Sequence, residues 1–482
     1  MSRCDDQRHA FVASDAKAGH RQVDCGGTYS HRAPWPPTDA CHPQCHRWLS
    51  AGAGAAPGRL DLLLCLCGQA RWRDHMTRCG AEPRFLDTVD PEFRFDSDAV
   101  GNARRRHWYA RTPQAPMVLG LPECYELLRN PGLVQDGPRF MRAHGVESGP
   151  FYRWFVATIQ NSTGETHYRL RRVLGPLLRC PENGQHDRHI EEVAAKFVED
   201  IPVNSVVDFG FHASRYASAV LCKLLGIAET DFDRFWCLAH DAGQIFAWTD
   251  LVSIRARLDQ AISELNQFIE ELVDIKSRSP SRDVTSALLL ASDDAGSAAM
   301  TRTELVNALV FMSWAGQQSV ARQLTEATRA LSAQPEQWDA AGRSAAAAQG
   351  AVEEATRWAP QIGMLFRFAT TRISFRDLVI PPGTLVLFCP PSAARDARRY
   401  VDPDVFDIWR RERNGSLLFG HGIYRCLGST IAKAELEHGL AALSRRFAAP
   451  TWFPECADAV PTAAVNANNC APAMFQSREG GV

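Results

Sequence analysis

Phe419-Gly420-His421-Gly422-Ile423-Tyr424-Arg425-Cys426-Leu427-Gly428 is the stretch on which the reading of this chain turns. Gly420 and Gly422 permit tight turning of the backbone, Gly428 permits close approach just past the cysteine, and an apolar helical pattern follows from Ile431. A thiol presented in this way can meet a flat cofactor. Nearby backbone N–H groups and the start of the following helix favour the thiolate, which is the form that ligates a metal. A lone cysteine is more often a buried structural residue, so the loop by itself leaves both readings open.

Upstream, Glu354-Ala355-Thr356-Arg357 falls on a helix expected from Ala347 to Trp358. At a spacing of three, Glu354 and Arg357 share one helix face, and the plain reading is a surface ion pair. Ala315-Gly316-Gln317-Gln318-Ser319-Val320 lies inside a longer helix expected from Arg302 to Leu331. A glycine in mid-helix costs roughly 1 kcal/mol relative to alanine, so Gly316 implies close approach of either a packed helix or a ligand. Apolar residues at spacings of three and four, as in Ile262-Leu265-Phe268-Ile269-Leu272, run from about residue 205 to 333 and predict long helices. Strand patterns are short and late, at Arg372–Phe375, Leu378–Ile380 and Thr384–Phe388, with Pro381-Pro382-Gly383 as a turn. The class is therefore mainly α with a small β portion.

The chain has 482 residues, 45% of them hydrophobic, and a net charge of −2, so its bulk charge draws it to neither nucleic acid nor an anionic membrane. The apolar run Leu62–Cys67 is far short of the roughly 20 residues a membrane helix needs, and no secretory leader is readable, which predicts a cytoplasmic protein without a membrane anchor. A reducing compartment argues against a disulfide framework among the 15 cysteines. Residues 1–75 are rich in Cys, His, Gly, Pro and Arg without useful periodicity. They are expected to be disordered or an extension upstream of a natural start at Met76, leaving 76–482 as one catalytic domain. Cys41-His42-Pro43-Gln44-Cys45-His46 lacks a second ligand pair at zinc spacing and reads as chance composition.

Taken together, the cysteine loop, the Glu-x-x-Arg pair and the glycine-centred long helix resemble the cytochrome P450 family over about residues 83–450. The resemblance implies a triangular helical fold with haem b between the long helix and the loop, its iron held by Cys426. It also implies loop contacts to the cofactor from Phe419, Tyr424 and Gly428, propionate contacts from His167, Arg171 and Arg367, and an oxygen site at Gly316, Gln318 and Ser319. Four positions depart from the family pattern. Tyr424 replaces a cationic residue, Val405 stands where an arginine often completes the Glu354/Arg357 cluster, Gln318 replaces a carboxylic acid, and Ser319 replaces a threonine. An amide cannot carry a proton as an acid does. Phe151, Trp154, Phe246, Trp248, Phe311, Trp314, Ile362 and Met364 are candidates for the substrate wall, although aromatics at helical spacing are usually core.

The family's implied partners are a separate ferredoxin and ferredoxin reductase, approached by a monomer through Arg169, Arg172 and Arg425. Hydroxylation of a small aromatic or apolar natural product is the default expectation, by analogy with secondary-metabolite tailoring enzymes. Oxidative C–C or C–N coupling is the alternative that Gln318 motivates. A peroxide-driven variant and a non-catalytic haem sensor complete the set.

Overall fold

The computed structural model describes residues 82–90, 92–178, 185–243, 251–294, 300–413, 415–454 and 470–478. The expected boundary at 75/76 lies outside them, as do Phe246 and Trp248. The described chain opens with α1 (Asp98–Arg106), a hairpin of β1 (Tyr109–Arg111) and β2 (Pro116–Val118), then α2 (Leu121–Leu128), β3 (Leu133–Val134), α3 (Gly137–Ala143) and α4 (Pro150–Val156). Longer helices follow: α5 (Gly164–Leu177), α6 (Gln185–Glu199), then β4 (Val206–Asp208), α7 (Phe209–Leu225), α8 (Phe232–Ala242), α9 (Arg255–Arg278), α10 (Val284–Asp294) and α11 (Arg302–Ser332). The last part holds α12 (Pro335–Arg343), α13 (Ala345–Trp358), β5 (Leu365–Ala369), β6 (Ile373–Phe375), β7 (Leu378–Ile380) and β8 (Leu385–Phe388). It closes with α14 (Pro390–Ala393), α15 (Ser429–Arg446), β9 (Thr451–Trp452) and β10 (Pro472–Met474).

The 31-residue α11 is the axis of the helical core. Thr301 and Glu304 form a reciprocal capping box at its start, which satisfies N–H groups that a helix otherwise leaves unpaired. Leu305, Leu309, Val320, Leu324 and Leu331 are buried along it, where it packs against α7, α9, α13 and α15. Leu324 meets Gly439 of α15 closely, and truncating such a fully buried leucine to alanine costs about 2–5 kcal/mol. Its alternation of helical period predicted α11 and α13 to within a residue or two.

The larger sheet has the order β1-β2-β8-β5-β3, with β2 parallel and β5 antiparallel to β8. All four residues of β8 are buried, as a central strand requires. β6 and β7 form a separate hairpin, and the expected turn lies between β7 and β8 with Gly383 at φ 83°. That left-handed conformation suits glycine. No helix among the described residues is long and apolar enough to cross a membrane.

Candidate functional site

The Cys426 loop is set by its glycines. Gly420 and Gly422 adopt φ 65° and 72°, and a Cβ on Gly422 would overlap the Leu128 carbonyl at the end of α2. The turn brings the Cys426 N–H to the Phe419 carbonyl at 2.9 Å. Gly428 is the residue just before α15, and the space its missing side chain would fill is open. Burial pushes the Cys426 thiol up, while the Gly428 N–H and the charges of Arg171 and Arg425 pull it down. Those donors are the groups that stabilise a sulfur anion. Although it lies deep among the surrounding elements, Cys426 keeps accessible surface. The loop is braced from α13 through Lys433, which pairs with Glu353 and places its ammonium 5.8 Å from the Phe419 ring.

The expected cations divide by role. Arg367, on the interior strand β5, is 2% exposed and pairs with no carboxylate among the described residues. Its Nη1 donates to the Phe366 carbonyl at 2.6 Å, and with the Gln135 amide turned oxygen-inward it donates there at 3.0 Å. Its Nε finds no acceptor, its guanidinium lies 4.9 Å over the Tyr424 ring, and burial depresses it to about 10. An unpaired buried cation is costly unless an anion completes it, so Arg367 fits a propionate. An edge-strand charge it is not.

Arg171 is half-buried near Cys426, where burial pulls its guanidinium down and the sulfur raises it. His167 has both ring nitrogens at loop oxygens, Nε2 3.0 Å from the Ile423 carbonyl and Nδ1 3.1 Å from that of Ile159, contacts that tie it to the cysteine loop. Tyr424 lies against it, with ring centroids 4.7 Å apart, and directs its hydroxyl to the Ser162 carbonyl at 3.4 Å.

The Glu354/Arg357 pair is buried, not superficial. Arg357 Nη2 and Nε grip the carboxylate at 2.6 and 2.8 Å, and Nη1 binds the carbonyls of Ala394 and Pro403, each at 2.8 Å. The third cation expected at position 405 is absent there, and Arg410 supplies it. Arg410 Nε bonds both Glu354 oxygens at 3.3 and 3.2 Å, while its other nitrogens hold the carbonyls of Val401, Asp402 and Val405. Val405 itself is 54% exposed. Within the charged run Arg410-Arg411-Glu412-Arg413, nothing marks one arginine as internal; the signal was the apolar Phe406 and Ile408 that turn Arg410 inward.

On α11 the close neighbour of Gly316 is Leu221 of α7, whose Cδ2 would lie 3.0 Å from a Cβ there, so helix packing accounts for this glycine. Ser319 donates its hydroxyl back to the Ala315 carbonyl, a local bond that satisfies it within the helix. Gln318 is buried and turned toward α8, with Nε2 3.1 Å from His240 Nδ1. Gln317 bonds Ser218 at 3.0 Å and the Trp236 carbonyl at 3.1 Å. Sequence patterning gave no hint of His240 in this cluster.

Of the candidate wall residues, Trp154, Trp314 and Phe311 join an aromatic chain whose other members, Phe366, Phe140 and Phe155, were not expected. Phe366 of β5 stacks on Phe140 at 5.0 Å, Phe140 meets Phe155 at 5.8 Å, and Trp154 meets Trp314 edge-on at 5.7 Å, with Phe311 5.5 Å beyond. Trp154 and Phe155 adjoin on α4, which closes the chain. Phe151, Trp154 and Trp314 are buried in the core, whereas Phe311, Ile362 and Met364 are half-buried. Arg169 is not a free docking charge, because it pairs with Glu304 of the α11 capping box at 2.5 Å.

Comparison with known proteins follows the same outline. The cytochrome P450 family matches residues 347–451. The luteothin monooxygenase of Streptomyces thioluteus is 28% identical over 397 residues, covering 81% of this chain and 97% of that protein. The solved cytochrome P450 CYP109Q5 from Chondromyces apiculatus superposes with a TM-score of 0.71 at 21% identity, over 83% of this chain and all of its own. CxnD, described as the cytochrome P450 for C–S bond formation in chuangxinmycin biosynthesis, gives 0.69 at 21% identity, over 83% of this chain and 100% of its own.

Proposed function

We propose, for a chain that belongs to the bacterial-type cytochrome P450s and is a haem-thiolate oxidoreductase of secondary metabolism, that it hydroxylates a small aromatic or apolar natural product with dioxygen and ferredoxin-borne electrons. The reaction takes one dioxygen, two electrons and two protons, and leaves one oxygen atom in the product and the other in water. When bound, haem b supplies the iron that activates dioxygen. Cys426 would supply its thiolate to the iron, Arg367 and Arg171 would receive the propionates, and Tyr424 would offer them a hydroxyl.

The aromatic chain from Phe366 through Phe140, Phe155, Trp154 and Trp314 to Phe311 carries the substrate part of this reading. Such a surface favours flat apolar ligands by area and by edge-to-face contact, each pair contributing about 0.5–1.5 kcal/mol beyond burial. It excludes water from the reacting carbon as well. The luteothin monooxygenase, similar over nearly its whole length, supports a monooxygenase.

A second reading has a specific motive. Gln318 stands where an acid would feed protons, which favours substrate oxidation without oxygen insertion, and a structural neighbour is described as forming a C–S bond. Product mass separates the two. Purified protein, a plant-type ferredoxin, its reductase and NADPH are expected to give products of aromatic probes that have gained one oxygen atom. Products lacking two hydrogens with no added oxygen would replace hydroxylation with coupling. Aliphatic acids that shift the haem spin state while aromatic probes do not would overturn the aromatic assignment.

A further inference from the structure

We propose that His240 is a functional residue of this enzyme: it exchanges protons with the oxygen-side turn of α11 through Gln318, in the place of the missing carboxylic acid. The inference rests on the cytochrome P450 reading above. Its own basis is the geometry at the crossing of α8 and α11, where Gln318 Nε2 lies 3.1 Å from His240 Nδ1. Gly243, at the end of α8, makes that contact possible, since a Cβ there would overlap the Gln318 side chain. Neighbouring polar groups continue the line: Gln317 Oε1 accepts from Gln318 at 3.3 Å, Gln317 Nε2 reaches Ser218 and the Trp236 carbonyl, and Trp236 Nε1 donates to Ser214 at 3.0 Å.

Imidazole is the one titratable group in this line. Burial, helped by Arg322 one turn further along α11, lowers His240 to about 4, so its resting form is neutral, with Nδ1 accepting from the Gln318 amide. The charged groups around it are Arg322 on α11 and, beside it on α8, Asp241, which burial raises to about 6 and which Arg257 and Glu264 of α9 face. A neutral imidazole relays without holding charge for long. From the other neutral tautomer, with the proton on Nδ1 and the Gln318 amide oxygen turned to accept it, Nε2 takes a proton from solvent water as Nδ1 gives its own to a water beside position 318, which returns the ring to its resting form. The Gln318 amide turns over to follow the proton on Nδ1 and neither gains nor loses one. Ser319, the next residue, then accepts from that water while its own proton stays on the Ala315 carbonyl.

Three full-length, haem-loaded variants carry the activity test, His240→Gln, Gln318→Glu and the double variant, and a fourth, Gln318→Leu, serves the NMR measurement. His240→Gln keeps a hydrogen-bonding partner for Gln318 but cannot titrate. In 15N-histidine NMR of the wild type, Nδ1 is expected to be unprotonated and hydrogen-bonded, and Gln318→Leu is expected to shift that resonance. Oxygen uptake is then followed with NADPH, a plant-type ferredoxin and its reductase, in H2O and D2O. Loss of a positioned proton carrier is expected to slow His240→Gln about tenfold or more and enlarge the slowing by D2O. Adding Gln318→Glu is expected to restore both, with the thiolate-type spectrum and Tm of all three near wild type. Wild-type uptake and isotope effect in His240→Gln would overturn the proposal and leave the pair as a packing clasp. Absence of the thiolate-type spectrum in the wild type would instead remove the reading on which it rests.

Discussion

Arg410→Ala removes one of the two side chains that tie the loop 401–405 to Glu354, the other being Arg357, and its cost can be worked from the contacts. Nε loses both oxygens of a carboxylate that is 3% exposed, and the Val401 carbonyl loses its donor, while those of Asp402 and Val405 keep the Val405 N–H at 3.0 Å and Arg357 Nη2 at 3.1 Å. Glu354 keeps Arg357 and the Asp407 N–H at 2.9 Å, so its charge is not stranded. Breaking a buried ion pair costs about 3–5 kcal/mol, and the retained Arg357 places this case near the middle, at about 4 kcal/mol. With an unfolding entropy of roughly 2 cal/mol/K per residue over some 400 residues, that is a Tm lowered by about 5 °C. Because the same loop leads into the Cys426 segment, haem retention is expected to fall with it. Differential scanning calorimetry and the haem-to-protein absorbance ratio measure both. Val405→Ala, at the exposed position where the sequence pattern places the cation, is expected to change Tm by less than about 0.5 kcal/mol equivalent. An Arg410→Ala protein with wild-type Tm and haem content, or a Val405→Ala protein that loses both, would refute the assignment.

Further tests address the site. Cys426→Ser is expected to lose the thiolate-type spectrum of the reduced carbon monoxide complex, and an unchanged spectrum would require another axial ligand. Arg367→Leu is expected to weaken haem binding by about tenfold or more, since hydrogen bonds to charged groups contribute about 1.5–3 kcal/mol. The apoprotein should become no less stable, because an uncompensated buried cation is gone; apo calorimetry showing a large loss would contradict this. Glu435 of α15 is fully buried, its Oε2 lacks a hydrogen bond, and burial raises its carboxyl well above 4.5. The folded state therefore keeps a proton that the unfolded chain releases. Its stabilisation is complete below 4.5 and declines by about 1.4 kcal/mol per pH unit above that until the folded carboxyl itself titrates. Glu435→Gln is expected to match wild type near pH 5 and exceed its Tm near pH 8; equal Tm at both would dismiss the effect.

Legibility in the sequence followed the range of the interactions. The Cys426 loop, α13 and α11 announce themselves because glycine placement and helical period are local properties. The β6–β7 hairpin and the turn at Gly383 were readable for the same reason. By contrast, the pairing of Val118 in β2 with Phe388 in β8 joins distant segments, and no local pattern specifies it. Helices α1 to α6 carry shorter or less regular apolar faces and did not stand out. At the site, Cys426 and the Glu354/Arg357 pair were visible as spacing. Arg410 was hidden in a run of charges, and His240 could be joined to Gln318 only by the crossing of two helices.

The grip of Arg357 and Arg410 on residues 401–405 falls on carbonyl oxygens, while the side chains of Val401 and Val405 and the nearby Trp409 point outward and are exposed. Peptide groups are common to every amino acid, so this internal scaffold does not depend on which side chains the loop displays. The outer face of the segment can therefore be rewritten without disturbing the support beneath the cysteine.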